Sequence, residues 1–307
     1  MVSRVAKLII SAAYLSCAMF ARPFMRIFGR TPKGTCVILY YHSVPAEHRN
    51  AFAQQLDIMQ KLATPLDIDT PAVLQPGRRY AGITFDDGFQ DAIDNAIPEL
   101  VKRKMPATFF ITVAALGRSA EWWPQSSAER HRLIATSEQL RAVKSQWIRF
   151  ASHTLTHRRL ASLVEEDAKW EISESRTKLE LLIGGRITSI SFPYGDFNEH
   201  VARWCREAGY LRAFTTRHEN AFDFPGAFLV GRVKVEPTEW KIEFCVKLLG
   251  GYVWLPWAIN LKDRVRLWMR KGKELSTEVP DGREFGLRHR RDITCNGHDA
   301  GTRSDDR

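Results

Sequence analysis

Two adjacent carboxylates at the end of an apolar run are the residues of this 307-residue chain best suited to chemistry. Asp86 and Asp87 follow the apolar stretch 81–85 and precede Gly88. Neighbouring side chains at a strand end point in different directions, so one carboxylate can bind a metal while the other transfers protons. Two buried like charges are unfavourable unless a cation or a catalytic duty compensates them. An ordinary Asp-Gly turn would account for the same residues, so the interpretation depends on the residues downstream.

Two histidines with the spacing of metal ligands follow a second apolar run. His153 and His157 come after the stretch 147–151, and their spacing lets both imidazoles converge on one ion from a helical turn or a tight loop. Alone, such a pair is common on solvated helix faces. With one Asp carboxylate it supplies two nitrogens and one oxygen and leaves positions open for water. That is the ligand set of a catalytic metal site rather than a structural one.

A third turn, Ser-Phe-Pro-Tyr-Gly at 191–195, ends another strand-like run, where its proline and glycine force the backbone to turn. Alone it is an ordinary turn. In order and spacing, however, Thr-Phe-Asp-Asp-Gly at 84–88, Ser-His-Thr-Leu-Thr-His at 152–157 and Phe-Pro-Tyr-Gly at 192–195 resemble the first three motifs of the polysaccharide deacetylases. This is the NodB-homology group, also called carbohydrate esterase family 4. The resemblance covers residues 35–240.

The resemblance implies a base and a metal site. Asp86 would be the general base, and Asp87, His153 and His157 would hold a divalent metal that activates water. Zinc suits two nitrogens and one carboxylate, while cobalt, nickel and manganese are compatible with the same ligands. The implied enzyme is a metal-dependent hydrolase that removes N-acetyl groups from N-acetylhexosamine units of a polysaccharide or oligosaccharide.

The resemblance also implies substrate contacts. Tyr194 would lend a backbone N–H to the oxyanion, with Phe192 and Pro193 beside it in the same motif. Trp122 and Trp123 lie in an apparent insertion at 117–135 and could stack on sugar rings, because flat apolar faces suit aromatic side chains. The alternative for this pair is that it anchors a packed loop.

Two departures from the family pattern concern proton transfer. Many members have an arginine before the third motif to orient the catalytic Asp, where this chain has Ser191, and no Leu-x-His follows near the domain end. The strand Tyr-His-Ser-Val at 41–44 resembles the branch that acts on poly-N-acetylglucosamine-type exopolysaccharides, which implies His42 as the general acid. A histidine that closes an apolar strand can also be structural. His218 is the competing candidate for the acid.

Alternating elements predict an α/β fold. Strand-like runs occur at 36–44, 81–85, 108–113, 147–151, 187–192, 213–216 and 228–235, and helical patterns at 52–63, 91–104, 138–145, 164–183 and 198–208. Ser162 with Glu165 predicts a capping box for the fourth helix, and Asn198 predicts an N-cap for the fifth. Such alternation indicates a mostly parallel sheet. The resemblance narrows this to a distorted, incomplete (β/α) barrel of about seven strands, whose carboxyl ends gather the motifs on one face.

Charge divides the chain into segments. Residues 1–34 carry six basic and no acidic groups, and residues 241–273 carry eight basic and two acidic, whereas 35–240 is balanced. We therefore expect a neutral catalytic domain at 35–240, no nucleic-acid groove, a basic amphipathic helical extension at 241–273 and a disordered tail at 274–307. The basic ends are expected to meet an anionic membrane surface.

The first 34 residues fit several targeting interpretations. The mainly apolar run 8–20 is shorter than the about 20 residues of a spanning helix, and basic residues follow where a cleavage site would stand. An interfacial segment or uncleaved anchor is preferred over a signal peptide, which leaves the membrane side undecided. Five cysteines without clustered spacing do not indicate a disulfide framework.

Two other functions remain open at this stage. Related barrels hydrolyse O-acetyl esters or cyclic amides, and Ser191 in place of arginine leaves room for an altered site. A membrane-bound glycan-binding protein with a dead active site is the third hypothesis, and the intact Asp86, Asp87, His153 and His157 argue against it. The sequence does not indicate an oligomeric state.

Overall fold

The computed structural model describes residues 3–29, 31–69, 73–223 and 226–259, with Leu261 and Arg264. Residues 1–260 belong to one compact unit. The tail expected to be disordered, 274–307, lies outside the described residues, and so do residues 260, 262, 263 and 265–273 of the extension predicted at 241–273.

A parallel sheet of nine strands forms the centre of the described unit. The strands are β1 (Thr35–Tyr41), β2 (Thr64–Pro65), β3 (Arg79–Phe85), β4 (Ala107–Ile111), β5 (Ile148–Ser152), β6 (Ser189–Ser191), β7 (Arg212–Phe214), β8 (Leu229–Val230) and β9 (Val233–Lys234). Their order is β8-β7-β6-β5-β4-β3-β1-β9, and β2 pairs with β3 outside this path. All of these pairings are parallel.

The two edges of the sheet approach each other. β8 pairs with β7 at one edge and β9 pairs with β1 at the other, yet only Gly231 and Arg232 separate β8 from β9. A chain of three steps spans at most about 10 Å, so the sheet must curl into an incomplete barrel. A Cβ on Gly231 would meet the Arg217 carbonyl oxygen at 2.4 Å, which is why this crossing needs glycine. The expected distorted barrel is confirmed, with the seventh predicted run divided into β8 and β9.

Helices pack on the outside of the curl, and all of the described helices except the first and the last connect two strands. They are α1 (Arg4–Ile27), α2 (Arg49–Leu62), α3 (Gln90–Lys102), α4 (Ser137–Ala142), α5 (Glu165–Ile183), α6 (Glu199–Glu207) and α7 (Lys241–Leu248). Short 3-10 turns lie at Ala46–His48, Val113–Ala115, Ala128–His131, Leu160–Ser162 and Pro193–Gly195.

Helix ends test the capping predictions. Asn198 caps α6 by accepting a hydrogen bond from the Val201 N–H at 2.9 Å, as predicted. The capping box predicted at Ser162 is wrong, because α5 has Val164 at its N-cap position with no side-chain cap. The Ser162 hydroxyl instead donates to the Arg159 carbonyl within a 3-10 turn, so a local turn competes with the cap.

Alternate strand residues build two cores. Leu39, Ile83 and Phe109 belong to the large cluster between the sheet and the helices, whereas Ile38 and Phe110 belong to a smaller cluster inside the curl. Strand side chains alternate between faces with a period of two. Burial on both faces explains why the strands read as continuous apolar runs.

Helix α1 packs on α7 by its first turns. Arg4 forms a salt bridge with Glu243 of α7 at 2.7 Å, and the hydroxyl of the buried Ser11 accepts a hydrogen bond from Trp254 Nε1 at 2.9 Å. No helix in the described part of the chain has both the length and the hydropathy needed to cross a bilayer.

Candidate active site

The sequence motifs meet at the carboxyl ends of the parallel strands. Asp86 directly follows β3, His153 follows β5 and His42 follows β1. Parallel strands bring such positions to one edge of the barrel. They line a cavity of about 370 Å³ whose walls are Tyr40, His42, Asp86, Asp87, Trp122, Trp123, Pro124, His153, His157, Phe192, Tyr194 and Thr216.

Asp87, His153 and His157 converge on one point. The Nε2 atoms of His153 and His157 lie 3.4 and 3.2 Å from the same oxygen, Asp87 Oδ1, and all three side chains are buried. The Nδ1–H of His153 donates to the Ser191 carbonyl at 2.9 Å, which leaves its Nε2 lone pair facing Asp87. Three ligand atoms within 4.8 Å of one another therefore surround a space of the size that a metal ion needs.

The polar groups of this cluster fit a cation. Asp87 Oδ1 is buried and has no hydrogen-bond partner among the described groups, and an unpaired buried carboxylate oxygen is unfavourable without a counter-charge. Burial raises the pKa of Asp87, but the positive charge that the two facing imidazoles carry when protonated outweighs burial and holds the pKa of Asp87 well below its usual value. A deprotonated carboxylate with two imidazole nitrogens is the donor set that zinc and similar divalent ions bind.

Two tryptophans contact the side chains predicted to bind a metal. The indole N–H of Trp123 donates to Asp87 Oδ2 at 2.9 Å, which leaves Oδ1 directed at the histidines. The ring of Trp122 stacks on the imidazole of His157 with centroids 4.6 Å apart. Both residues were predicted as sugar-stacking candidates, and both line the cavity. The structure adds contacts from both tryptophans to predicted metal-ligand side chains, which sequence spacing did not indicate.

Arg232 binds the other carboxylate. Its Nη1 and Nη2 donate to the two oxygens of Asp86 at 2.7 and 2.8 Å, and further bonds reach Ser191 Oγ at 2.6 Å, Thr84 Oγ1 at 3.1 Å and the Thr215 carbonyl at 3.3 Å. Burial raises the pKa of Asp86, but Arg232 and His153 outweigh it and keep the pKa below its usual value. Asp86 is therefore held ionised and in one orientation.

Sequence analysis missed Arg232. The residue is fully buried and its guanidinium lies 4.7 Å from the ring centroid of Tyr40 and 5.2 Å from that of Phe110. Ser191 stands at the position where an arginine was expected to orient the catalytic Asp. In this chain the orienting guanidinium comes from Arg232 in the β8–β9 crossing, and the Ser191 hydroxyl accepts one of its hydrogen bonds. A single arginine within the apolar run 228–235 was the available signal.

Buried Glu171 holds the histidine loop. Its carboxylate accepts hydrogen bonds from the Leu155 and Thr156 N–H groups at 3.0 and 2.9 Å, and from the Thr156 hydroxyl. The loop needs this support because Thr154 and His157 have φ near +65°, a conformation that costs free energy in residues with a Cβ. Asp87 shares this feature at φ 70°. Two of the three predicted ligands, Asp87 and His157, therefore have this strained backbone conformation.

The third motif forms a strained turn beside the cluster. Tyr194 has φ 61° within the 3-10 turn Pro193–Gly195. Its half-exposed ring lies edge-on to the His157 ring, with ring centroids 4.8 Å apart. Phe192 and Tyr194 line the cavity, and the Arg159 guanidinium lies 4.0 Å from the Tyr194 ring centroid. Pro193 is buried under the turn and fixes the backbone that presents Tyr194.

His42 and His218 occupy different places. His42 lines the cavity with Asp86 and lies edge-on to Trp123, with ring centroids 5.2 Å apart; burial lowers its pKa, although the nearby carboxylates oppose this. His218 is not among the cavity residues and lies beside Tyr252 instead, with centroids 6.3 Å apart. Of the two histidines, only His42 is positioned at this site.

The chain is similar in sequence to known polysaccharide deacetylases. Residues 74–213 match the family model described as polysaccharide deacetylase. YxkH of Bacillus subtilis (strain 168), which carries the name of a polysaccharide deacetylase, is 29% identical over 163 residues, or 53% of this chain and 54% of YxkH. The peptidoglycan-N-acetylmuramic acid deacetylase PdaC of the same strain is 24% identical over 157 residues, or 51% of this chain and 29% of PdaC. The chain thus spans about half the length of YxkH and less of PdaC.

Solved structures share the fold. IcaB from Ammonifex degensii superposes with a TM-score of 0.58 and 24% identity, covering 70% of this chain and 97% of IcaB. The deacetylase PplD of Streptococcus pyogenes, solved in complex with acetate, gives a TM-score of 0.58 and 20% identity over 71% of this chain and 99% of PplD. These similarities support the incomplete α/β barrel as the fold.

Proposed function

We propose that this chain, which carries a polysaccharide deacetylase domain, is a metal-dependent hydrolase that removes N-acetyl groups from N-acetylhexosamine units of a glycan. One observation carries the proposal: an arginine-held carboxylate, Asp86, lies next to the converging ligand atoms of Asp87, His153 and His157 in one cavity. A fixed base beside a metal site is what hydrolysis of an unreactive amide requires.

Asp87, His153 and His157 would hold the metal, with Trp123 and Glu171 keeping the ligands in place. A divalent ion bound there supplies Lewis acidity and lowers the pKa of water at the site. We expect zinc, because two imidazoles and a carboxylate with open positions match its catalytic sites. Cobalt, nickel or manganese could bind the same ligands.

Asp86 would accept the proton of the attacking water. Each carboxylate oxygen has two lone pairs, so a bond from Arg232 to each oxygen leaves acceptor capacity for water. Arg232 lowers the basicity of Asp86, yet it also prevents the carboxylate from rotating away from the cavity. Positioning of this kind contributes to catalysis because the reacting groups need no reorganisation.

His42 would protonate the departing amine, and Tyr194 would donate its backbone N–H to the oxyanion. Both residues line the cavity that contains Asp86. An amine is a poor leaving group unless it is protonated, and a positioned general acid typically contributes about 10²–10⁴-fold. One oxyanion donor typically contributes about 3 kcal/mol.

The substrate class is supported by the cavity and by one relative. A cavity of about 370 Å³ lies at the lower end of the range of small-ligand sites, and its tryptophan and tyrosine rings suit the flat faces of a sugar. The name of PdaC states that this relative acts on an N-acetylated sugar of peptidoglycan. We propose an N-acetylhexosamine unit here, within a polysaccharide or oligosaccharide.

The proposal is tested by acetate release. Purified full-length protein should release acetate from chitooligosaccharides, lose this activity with a chelator and regain it with zinc, while ring opening of a cyclic ureide should stay at background. Ser191 in place of arginine was the argument for a site that hydrolyses cyclic amides. The structure removes that argument, because Ser191 accepts a hydrogen bond from Arg232, which supplies the guanidinium. A metal-loaded protein that opens the ureide and releases no acetate would contradict the proposal.

A further inference from the structure

Helix α1 packs on α7 and the following segment partly through the polar residues Arg4 and Ser11, while several of its large apolar side chains are exposed. Arg4, Lys7 and Ser11 lie on the side that meets α7 and the following segment. Arg4 pairs with Glu243, its guanidinium lies 4.8 Å from the ring centroid of Trp240, and Ser11 is fully buried. A surface helix of a globular protein normally has the opposite arrangement.

The outward face of α1 is apolar over several turns. Ile9, Ile10 and Phe20 are 62%, 44% and 75% exposed, and no charged residue occurs between positions 8 and 21. From residue 16 to residue 20 every side chain is exposed. Such a contiguous apolar surface is unfavourable in water and marks an interaction site.

Aromatic and aliphatic side chains are also exposed on the segments that α1 contacts. Trp240 and Ile242 at the start of α7 are 51% and 60% exposed, and Trp257 and Ile259 beyond it are 68% and 56% exposed. Trp254, three residues before Trp257, is the hydrogen-bond donor to Ser11. Tryptophan beside Lys and Arg is characteristic of the membrane–water interface.

Charge indicates the partner. Residues 1–34 carry six basic and no acidic groups, and α7, which packs on this segment, begins the second basic stretch, 241–273. A chain with a net charge of +10 repels a second copy of itself and is attracted to an anionic surface. Basic groups beside an apolar helix face are the combination that binds anionic lipid at the interface.

We propose that the outward face of α1, together with the exposed aromatic residues beside it, docks on an anionic lipid surface. The helix lies in the interface with Ile9, Ile10 and Phe20 inserted among the acyl chains. Arg4 and Lys7 lie on the packed face, so the headgroups are contacted by the other Lys and Arg residues of the two basic stretches. The domain is thereby held at the surface, and the assignment does not depend on which glycan is deacetylated.

Flotation with lipid vesicles tests this docking. Full-length protein should float with phosphatidylcholine vesicles containing phosphatidylglycerol and bind pure phosphatidylcholine vesicles less. The double variant Ile9→Glu/Phe20→Glu should reduce the partition coefficient by about 100-fold or more, because it removes two inserted side chains and adds repelled charge. High salt should release little wild-type protein, since apolar insertion is not screened.

A matched control separates the site from general hydrophobicity. Leu181 and Leu211, 79% and 60% exposed on other elements, are as exposed as the two α1 residues, and Leu181→Glu/Leu211→Glu should leave flotation unchanged. Thermal unfolding midpoints of both variants should equal that of the wild type within a few degrees. The proposal would be overturned if both double variants lost flotation equally, or if the wild type did not float with the vesicles. It would also be overturned if the wild type formed a dimer that the α1 substitutions abolished and bound no lipid.

Discussion

Arg232 donates hydrogen bonds to both oxygens of Asp86 across 146 residues of sequence. The arginine lies in the two-residue crossing between β8 and β9, where the edges of the sheet approach each other. The crossing that brings the two edges of the sheet together therefore also positions the arginine that orients the proposed base. A change that shifts the crossing should affect catalysis before it affects the metal ligands.

The first prediction concerns this pair. Arg232→Met should reduce acetate release by about 100-fold or more and lower the free energy of unfolding by about 3–5 kcal/mol, because it leaves a buried carboxylate unpaired. The double variant Arg232→Met/Asp86→Asn should recover part of that stability, measured by urea denaturation. Arg232→Lys keeps the charge without the two-point bond and should be intermediate in activity. Equal stability of the single and double variants would mean that the pair is not coupled.

The second prediction separates base from ligand. Asp87→Ala, His153→Ala or His157→Ala should each abolish activity and bound metal, measured by elemental analysis of purified protein. Asp86→Asn should abolish activity with metal retained, because both Asp86 oxygens are directed to Arg232. Metal lost from Asp86→Asn and kept in Asp87→Asn would reverse the two assignments.

The third prediction concerns the tryptophan pair. Trp123→Phe removes the N–H that binds Asp87 Oδ2 and should weaken metal affinity about 10–100-fold, the usual effect of losing such a support. Trp122→Phe is the matched control, since the Trp122 indole nitrogen is buried without a partner in the described structure. Phenylalanine can still stack on His157. Competition with a metal-binding dye measures both, and similar affinities for the two variants would disprove a positioning role for Trp123.

The fourth prediction concerns the proton donor. His42→Ala should lower the rate on an N-acetyl substrate by about 10²–10⁴-fold. An aryl acetate has a leaving group that needs no protonation, so the same variant should lose much less activity on it. His218→Ala serves as the control and should leave both rates near wild type. Equal losses on amide and ester in His42→Ala would indicate a structural role for His42.

The fifth prediction concerns pH and stability. Burial, assisted by Lys247 and Lys7, lowers the pKa of His218 to about 4, so the folded protein holds this histidine neutral. Its contribution to stability is complete above the unfolded pKa of about 6.5 and is lost as pH falls from there towards 4. The free energy of unfolding, measured by urea denaturation at pH 7 and pH 5, should fall by about 2 kcal/mol more in wild type than in His218→Gln. A pH dependence that is the same in both proteins would contradict this.

Sequence alone identified the residues that carry the motifs. Asp86 with Asp87, and His153 with His157, are close along the chain, so the local ends of β3 and β5 suffice to indicate their chemistry. Asn198 was recognised as a cap for the same reason, because its acceptor bond reaches only Val201. Ser162 failed because two local hydrogen-bonding patterns compete there, and sequence does not rank them.

The tertiary structure alone decided which distant side chains complete the site. Trp123, Glu171 and Arg232 bind motif residues whose positions relative to them depend on how the sheet curls. The same curl, not the residue type, puts His42 in the cavity and His218 near α7. Local periodicity and spacing determine elements and motifs, whereas partners from separate strands are chosen by strand order and register, which only the assembled sheet defines.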